Sequence, residues 1–173
     1  LSEKLCEQNM DNLVPEVNLV VGKTRRIGFS YKKTAKGAYN FTFLHGSSTK
    51  YFAAEEAYIT SGNGIFNKVI ESLDFINANT GWSQLRQKGD SNLMKKAQFF
   101  DQSGTTSYGH KSTLIADWIK DPEKVRGGDS LEVVLEEGGS FPKLLTILNS
   151  LVPTLKEGIR YTGRFTLFGT GTQ

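Results

Sequence analysis

The chain has 173 residues, of which 38% are hydrophobic and 23% charged, with a formal net charge of +3. That length holds one domain with a full core or two small units, and the composition excludes a disordered polymer. No apolar stretch approaches bilayer length, and a single cysteine, Cys6, excludes an internal disulfide framework and a Cys-rich zinc site while suiting a reducing compartment.

Residues Glu16 to Val21 read as the first strand. They lead into Gly22, Lys23 and Thr24, which match the end of the phosphate-binding pattern G-x-x-x-x-G-K-[ST]. The first glycine of that pattern should stand where Val17 does. A helix should follow, yet Arg25 to Lys33 alternates as a strand does, so the ATPase reading is set aside. Arg25–Lys33 and Ala38–Leu44 are expected to pair as a hairpin around "TAKG", with Gly37 free to take positive φ. Ile27, Phe29, Tyr31, Tyr39, Phe41 and Phe43 then share the core side of a sheet. Arg26, Gly28, Ser30, Lys32, Asn40 and Thr42 take the open side. Tyr51–Thr60 is expected to add a fourth strand.

"GNGIFNKVIESLDFI" at 62–76 and "EGGSFPKLLTILNSL" at 137–151 align without gaps. Gly64 matches Gly139, Phe66 matches Phe141 and Lys68 matches Lys143, and both carry the apolar stripe of an amphipathic helix. Ser140 is placed to cap the second helix, Pro142 suits its first turn, and Pro153 ends it. Between the helices, 80–92 reads as a polar linker, and Leu93–Asp101, Ser107–Ile119 and Ser130–Leu135 carry strand character. The expectation is one domain over residues 1–173, with repeat units at about 16–79 and 92–158 and a tail at 159–173.

Charge is distributed unevenly. No Asp or Glu occurs between Glu16 and Glu55, an interval holding Lys23, Arg25, Arg26, Lys32, Lys33, Lys36 and Lys50, while acids such as Asp129, Glu132, Glu136 and Glu137 gather later. Clustering one sign of charge costs self-repulsion and points to an anionic partner; a lysine-protected strand edge is the plain alternative. Hydroxyl, amide and cationic groups on a flat sheet suit sugar and phosphate contacts that read no base sequence. Ser30, Asn40 and Thr42 are therefore grouped with those cations, and Lys95, Lys96 and Lys111 are added from the second half.

The order of the "KK-TAKGAYNF" hairpin, "AEEAYI" and a helix opening with Phe resembles the single-stranded nucleic-acid-binding superfamily of Whirly proteins and PUR repeats. "SFPKLLTILNSLVPTL" resembles the second Whirly helix, although the Lys-Gly-Lys-Ala-Ala motif of plant Whirly proteins is missing. Within that superfamily the chain looks most like the trypanosomatid mitochondrial RNA-binding proteins. The resemblance implies an α+β fold of two antiparallel four-stranded-sheet-plus-helix units. It also implies a mitochondrial location, a homo- or hetero-tetramer with a related chain, and guide RNA held by its phosphates for annealing during RNA editing. The first residue, Leu1 rather than methionine, fits a transit segment removed ahead of it. No cofactor or metal is expected. Catalysis is not expected, because His45 and His110 are the only histidines and Cys6 is terminal, so no nucleophile–base constellation is complete. A single-stranded DNA-binding Whirly protein and a genome-binding coat subunit remain alternatives; the paired helices speak against a jelly-roll coat.

Overall fold

The computed structural model describes residues 18–80, 87–88 and 93–170. Cys6, the opening of the expected first strand and most of the expected linker lie outside them. Strand β1 (Leu19–Lys23) is followed by helix α1 (Phe29–Phe43). The segments expected to form a hairpin around "TAKG" are thus one continuous helix. Its buried face is built from Lys33, Thr34, Gly37, Ala38, Asn40 and Phe41, at helical spacing but almost without apolar bulk. The alternating aromatics that imitated a strand are largely outside, with Tyr31 53% and Tyr39 47% exposed.

Gly37 makes no turn. A Cβ there would run into the hydroxyl of the buried Tyr51, so the glycine lets α1 lie close against the sheet. Ala is a better helix former than Gly by about 1 kcal/mol, but overpacking a rigid contact costs about 1–3 kcal/mol. Gly37→Ala is expected to lower the urea-unfolding free energy; an increase would contradict the close approach.

Next come β2 (Ser48–Ala53), α2 (Glu56–Thr60), α3 (Ile65–Asn79), β3 (Gln87–Lys88) and β4 (Met94–Lys96). A small hairpin of β5 (Phe99–Phe100) and β6 (Ser107–Tyr108) precedes β7 (Thr113–Trp118) and β8 (Glu132–Glu136). Helix α4 (Leu144–Leu151), a second hairpin of β9 (Lys156–Glu157) and β10 (Arg160–Tyr161), and β11 (Arg164–Thr170) complete the described chain. Seven strands form one sheet in the order β1-β11-β8-β2-β7-β4-β3. The first five run parallel, with Leu19, Thr166, Val134, Tyr51 and Ala116 in one row; β4 and β3 run antiparallel.

Helices cover both faces. Tyr51, Ala53, Leu114, Val134 and Phe168 pack with α1 and α3. Phe52, Val133, Leu135, Phe165 and Leu167 pack with α4 on the other face. This α/β architecture replaces the expected α+β Whirly-like one. The two helices read as copies lie on opposite faces, and their shared stripe reflects what any helix laid on a sheet requires. Strands buried on both faces read as apolar runs, as "YFAA" at 51–54 and "VVL" at 133–135 do, and that is the signature of a parallel sheet.

A charged cluster crosses this core. Lys33 Nζ lies 3.0 Å from Glu132 Oε1, both side chains about 1% exposed, and Arg164 Nη2 lies 3.8 Å from Glu132 Oε2. The carboxylate ties α1 to the beginnings of β8 and β11. A buried charge is tolerated only when paired in this way.

Candidate active site

Because β1, β8 and β11 are parallel, Lys23, Glu136 and Thr170 all arrive at the carboxyl edge of the sheet. The chain leaves β1 over one face, into α1, and leaves β8 over the other, toward α4. Such divergence opens a crevice, the usual place for a ligand in an open α/β sheet. Here it is a cleft of about 800 Å³ lined by residues of the β1–α1 loop, α1, α3 and the end of β8.

The β1–α1 loop turns sharply, with Arg26 at φ 64° and Gly28 at φ 77°. Gly28 caps α1 without a side-chain hydrogen bond, and no acid stands in the first turn. The opening N–H groups of α1 and the positive end of its dipole therefore suit an anion in the cleft. Lys23 Nζ stands 3.5 Å from Glu137 Oε1 and 5.6 Å from the centre of the Phe168 ring. Ser30 Oγ, in the first turn of α1, donates to Glu136 Oε1 at 2.7 Å.

Glu137 adopts a left-handed conformation, φ 51° and ψ 56°, which is strained for a residue with a Cβ. Its Oε2 accepts from the Thr170 N–H at 3.1 Å and from Thr170 Oγ1 at 3.0 Å. It is thereby held between the ends of β1 and β11. Gly138 and Gly169 permit this convergence, because a Cβ on Gly138 would come within 2.5 Å of Leu167 and one on Gly169 within 2.9 Å of the Gly138 nitrogen.

Burial pushes the Glu136 carboxyl above its ordinary value of 4.5; the Ser30 hydrogen bond and the charges of Lys68 and Lys23 oppose that shift, and Glu137 adds to it. The folded chain therefore binds the Glu136 proton more tightly than the unfolded chain does. Stability falls as pH rises from the ordinary carboxylate value through the raised one. Glu136→Gln is expected to remove that part of the pH dependence and to make the ligand-free protein more resistant to unfolding at neutral pH, as thermal melts across pH 4–8 would record. A variant as pH-sensitive as the parent would contradict it.

Among the described residues no three His, Cys, Asp or Glu side chains gather as a metal cage. Mg²⁺ at a phosphate site needs none, since one or two protein oxygens suffice beside phosphate oxygens and water. The Ser30 hydroxyl and Glu136 carboxylate are oxygen donors of that kind, already side by side.

The residues grouped from sequence as one cationic surface divide. Lys23, Arg25, Arg26 and Ser30 line the cleft. Lys32 is exposed on α1, and Lys36 lies over the Tyr39 ring at 5.2 Å. Lys33, Asn40 and Lys50 are buried, Lys33 against Glu132 and Lys50 donating to the carbonyls of Gly127 and Gly128. Burial lowers the Lys50 pKa, and Asp129 partly restores it. Thr42 Oγ1 turns back to the Ala38 carbonyl at 2.7 Å. Lys95 and Lys96 lie on β4, where Lys96 pairs with Thr113 at the start of β7, and the Lys111 N–H bonds the Ala97 carbonyl nearby; this is the amino edge, opposite the cleft.

Sequence reasoning missed Glu136, Glu137 and Thr170. The signal was "VVLEE" at 133–137, an apolar strand ending in adjacent carboxylates. It also tried the phosphate pattern on Gly22 alone. With Gly28 as its second glycine, Ser30 fills the final Ser/Thr place, Phe29 the lysine place, and Lys23 the first glycine place. The helix required after the loop is α1.

No family model matches the chain, and no curated protein matches it. Solved structures do. The large terminase ATPase domain of Thermus phage P74-26 superposes with a TM-score of 0.65 at 19% identity, over 90% of this chain and 59% of that one. The large terminase of bacteriophage HK97 gives 0.59 at 10% identity, over 97% and 32%. The Phi-28 gp11 DNA packaging motor gives 0.50 at 15% identity, over 93% and 48%. The chain thus spans less than two thirds of each. These findings overturn the resemblance to Whirly and PUR-like proteins. The guide-RNA partner, the annealing role in RNA editing and the tetramer inferred from that resemblance fall with it. The exclusion of catalysis loses its basis too, because phosphoryl transfer proceeds by positioning and electrostatics and requires no histidine or cysteine. What the chain shares with these proteins is the fold of a phage terminase ATPase domain: a mostly parallel sheet between two layers of helices.

Proposed function

We propose that this chain is an ATP-hydrolysing domain of a DNA-packaging type of motor. The observation that carries the reading is the meeting of Lys23, the amino end of α1 and the Glu136–Glu137 pair at one end of the sheet, with β11 inserted between β1 and β8. In this reading the first-turn N–H groups of α1 and the Lys23 ammonium hold the triphosphate. Ser30 and Glu136 would hold Mg²⁺, which would supply positive charge against that of the phosphate oxygens. Glu137, aimed by Thr170, orients the attacking water and accepts its proton. The water oxygen bonds to the γ-phosphorus, the bond to the bridging β–γ oxygen breaks, and ADP and phosphate leave. Arg25 and Arg26 stand on the loop where negative charge accumulates. The DNA partner is supported by the likeness to terminases and to a DNA packaging motor, and the exposed Lys32 and half-buried Lys36 of α1 are the cations we assign to it.

Phosphate release from Mg²⁺-ATP, with and without double-stranded DNA, tests the proposal. ATP-dependent release accelerated by DNA is expected. Release at the buffer rate in both conditions would contradict it.

A further inference from the structure

One cation in the cleft has no part in the scheme above. Lys68 stands in the first turns of α3, whose neighbouring Ile65, Phe66 and Val69 are at most 3% exposed and fix the helix against the sheet. Its ammonium reaches into the cleft that also holds Lys23, Glu136 and Glu137. There Nζ donates to the Asn63 carbonyl at 2.6 Å and lies 5.4 Å from the centre of the Tyr31 ring. Both partners are uncharged, and among the described residues no carboxylate forms an ion pair with it. Lys143, its counterpart in the sequence match, is exposed at the start of α4 and does not line this cleft. The charge of Lys68 is nevertheless felt at Glu136. A flexible ammonium parked on a carbonyl and a ring, near the carboxylates that mark the reacting phosphate, is placed to move onto that phosphate.

We propose that Lys68 is a cis-acting ligand of the terminal phosphate: its ammonium exchanges the Asn63 carbonyl and the Tyr31 ring for the γ-phosphoryl oxygens and stabilises the charge they carry during transfer. The inference rests on the nucleotide-hydrolysis reading and extends it. It makes Lys68 the group that separates a triphosphate from a diphosphate, because a diphosphate leaves the ammonium on Asn63. It also links occupancy of the site to the loop 61–64, which α3 holds through Asn67 Nδ2 bonds to the carbonyls of Thr60 and Ser61.

The test compares the parent chain with Lys68→Ala and Lys68→Arg, using ADP and ATPγS as binding probes and Mg²⁺-ATP turnover. Lys68→Ala is expected to weaken ATPγS about tenfold or more, the loss of one charge-assisted hydrogen bond, with ADP affinity unchanged. Turnover should fall by about 10²–10³-fold, as when one transition-state donor is removed, and Lys68→Arg should recover part of both. Unchanged ATPγS affinity and turnover, or equal weakening of ADP and ATPγS, would overturn the assignment while leaving the phosphate site standing. A parent chain that binds neither nucleotide overturns both. Melting curves of the three proteins establish that each is folded.

Discussion

Glu137→Gln is expected to slow phosphate release by about 10²–10⁴-fold, the usual effect of losing a general base, without weakening ATP binding. The substitution keeps the shape of the side chain. The amide oxygen can still accept from Thr170, which holds Glu137 through its N–H and its hydroxyl in the native chain. The ability to take a proton from water is lost. The ion pair with Lys23 is lost as well, which leaves that ammonium free for phosphate, so affinity should hold or rise. A fall in rate at constant or tighter binding is the mark of a group that acts in the transition state. The left-handed backbone at Glu137 is equally strained with glutamine, so stability should change little. Single-turnover phosphate release beside equilibrium binding of ATP checks both halves. A variant as fast as the parent would remove Glu137 from the mechanism, and one that simply bound ATP less well would make it a ground-state contact.

Lys23→Ala should act on the other term. Truncating a charge that pairs with a phosphate costs about 2–5 kcal/mol, or roughly 30-fold to several-thousand-fold in affinity. Lys23 is nearly buried, with 9% of its side chain exposed, so its attraction for an anion is weakly screened. The ligand-free chain should tolerate the change better than the complex does, because the bond it loses there is an ion pair with the partly exposed Glu137. The expected signature is therefore loss of nucleotide-induced thermal stabilisation at saturating ATP, which for a ligand at a hundredfold excess over its Kd amounts to about 2.7 kcal/mol in the parent. Retention of the full stabilisation in Lys23→Ala would place the phosphates elsewhere.

Much of the secondary structure is legible in the sequence, whereas the topology is not. The strand expected at Ser130–Leu135 is β8 at Glu132–Glu136, and the helix expected within 62–76 is α3 at Ile65–Asn79. The segment from Arg25 to Leu44 misleads because α1 buries Thr34, Gly37, Ala38 and a paired lysine rather than a hydrophobic stripe. Its aromatics fall at odd positions and imitate a strand. That single misreading turned the helix that follows β1 into a hairpin and invited a fold built from antiparallel units. The strand order could not be read locally, because β1 pairs with β11 almost the whole chain away, and no turn chemistry encodes such a pairing. At the site, Lys23, Arg25, Arg26 and Ser30 were singled out for their attraction to phosphate, and they do share one cleft. Glu136 and Glu137 were noted only as acids lying far along the chain from that cluster, since only the parallel register carries them to the same edge as Lys23.

The most direct test of the phosphate site is backbone amide NMR of the chain titrated with Mg²⁺-ATP. The account predicts saturable shifts at Lys23–Ser30, Glu136, Glu137 and Thr170, with the amides of Lys95, Lys96 and Lys111 at the opposite edge undisturbed. Shifts confined to that opposite edge, or none at all at millimolar nucleotide, would contradict it.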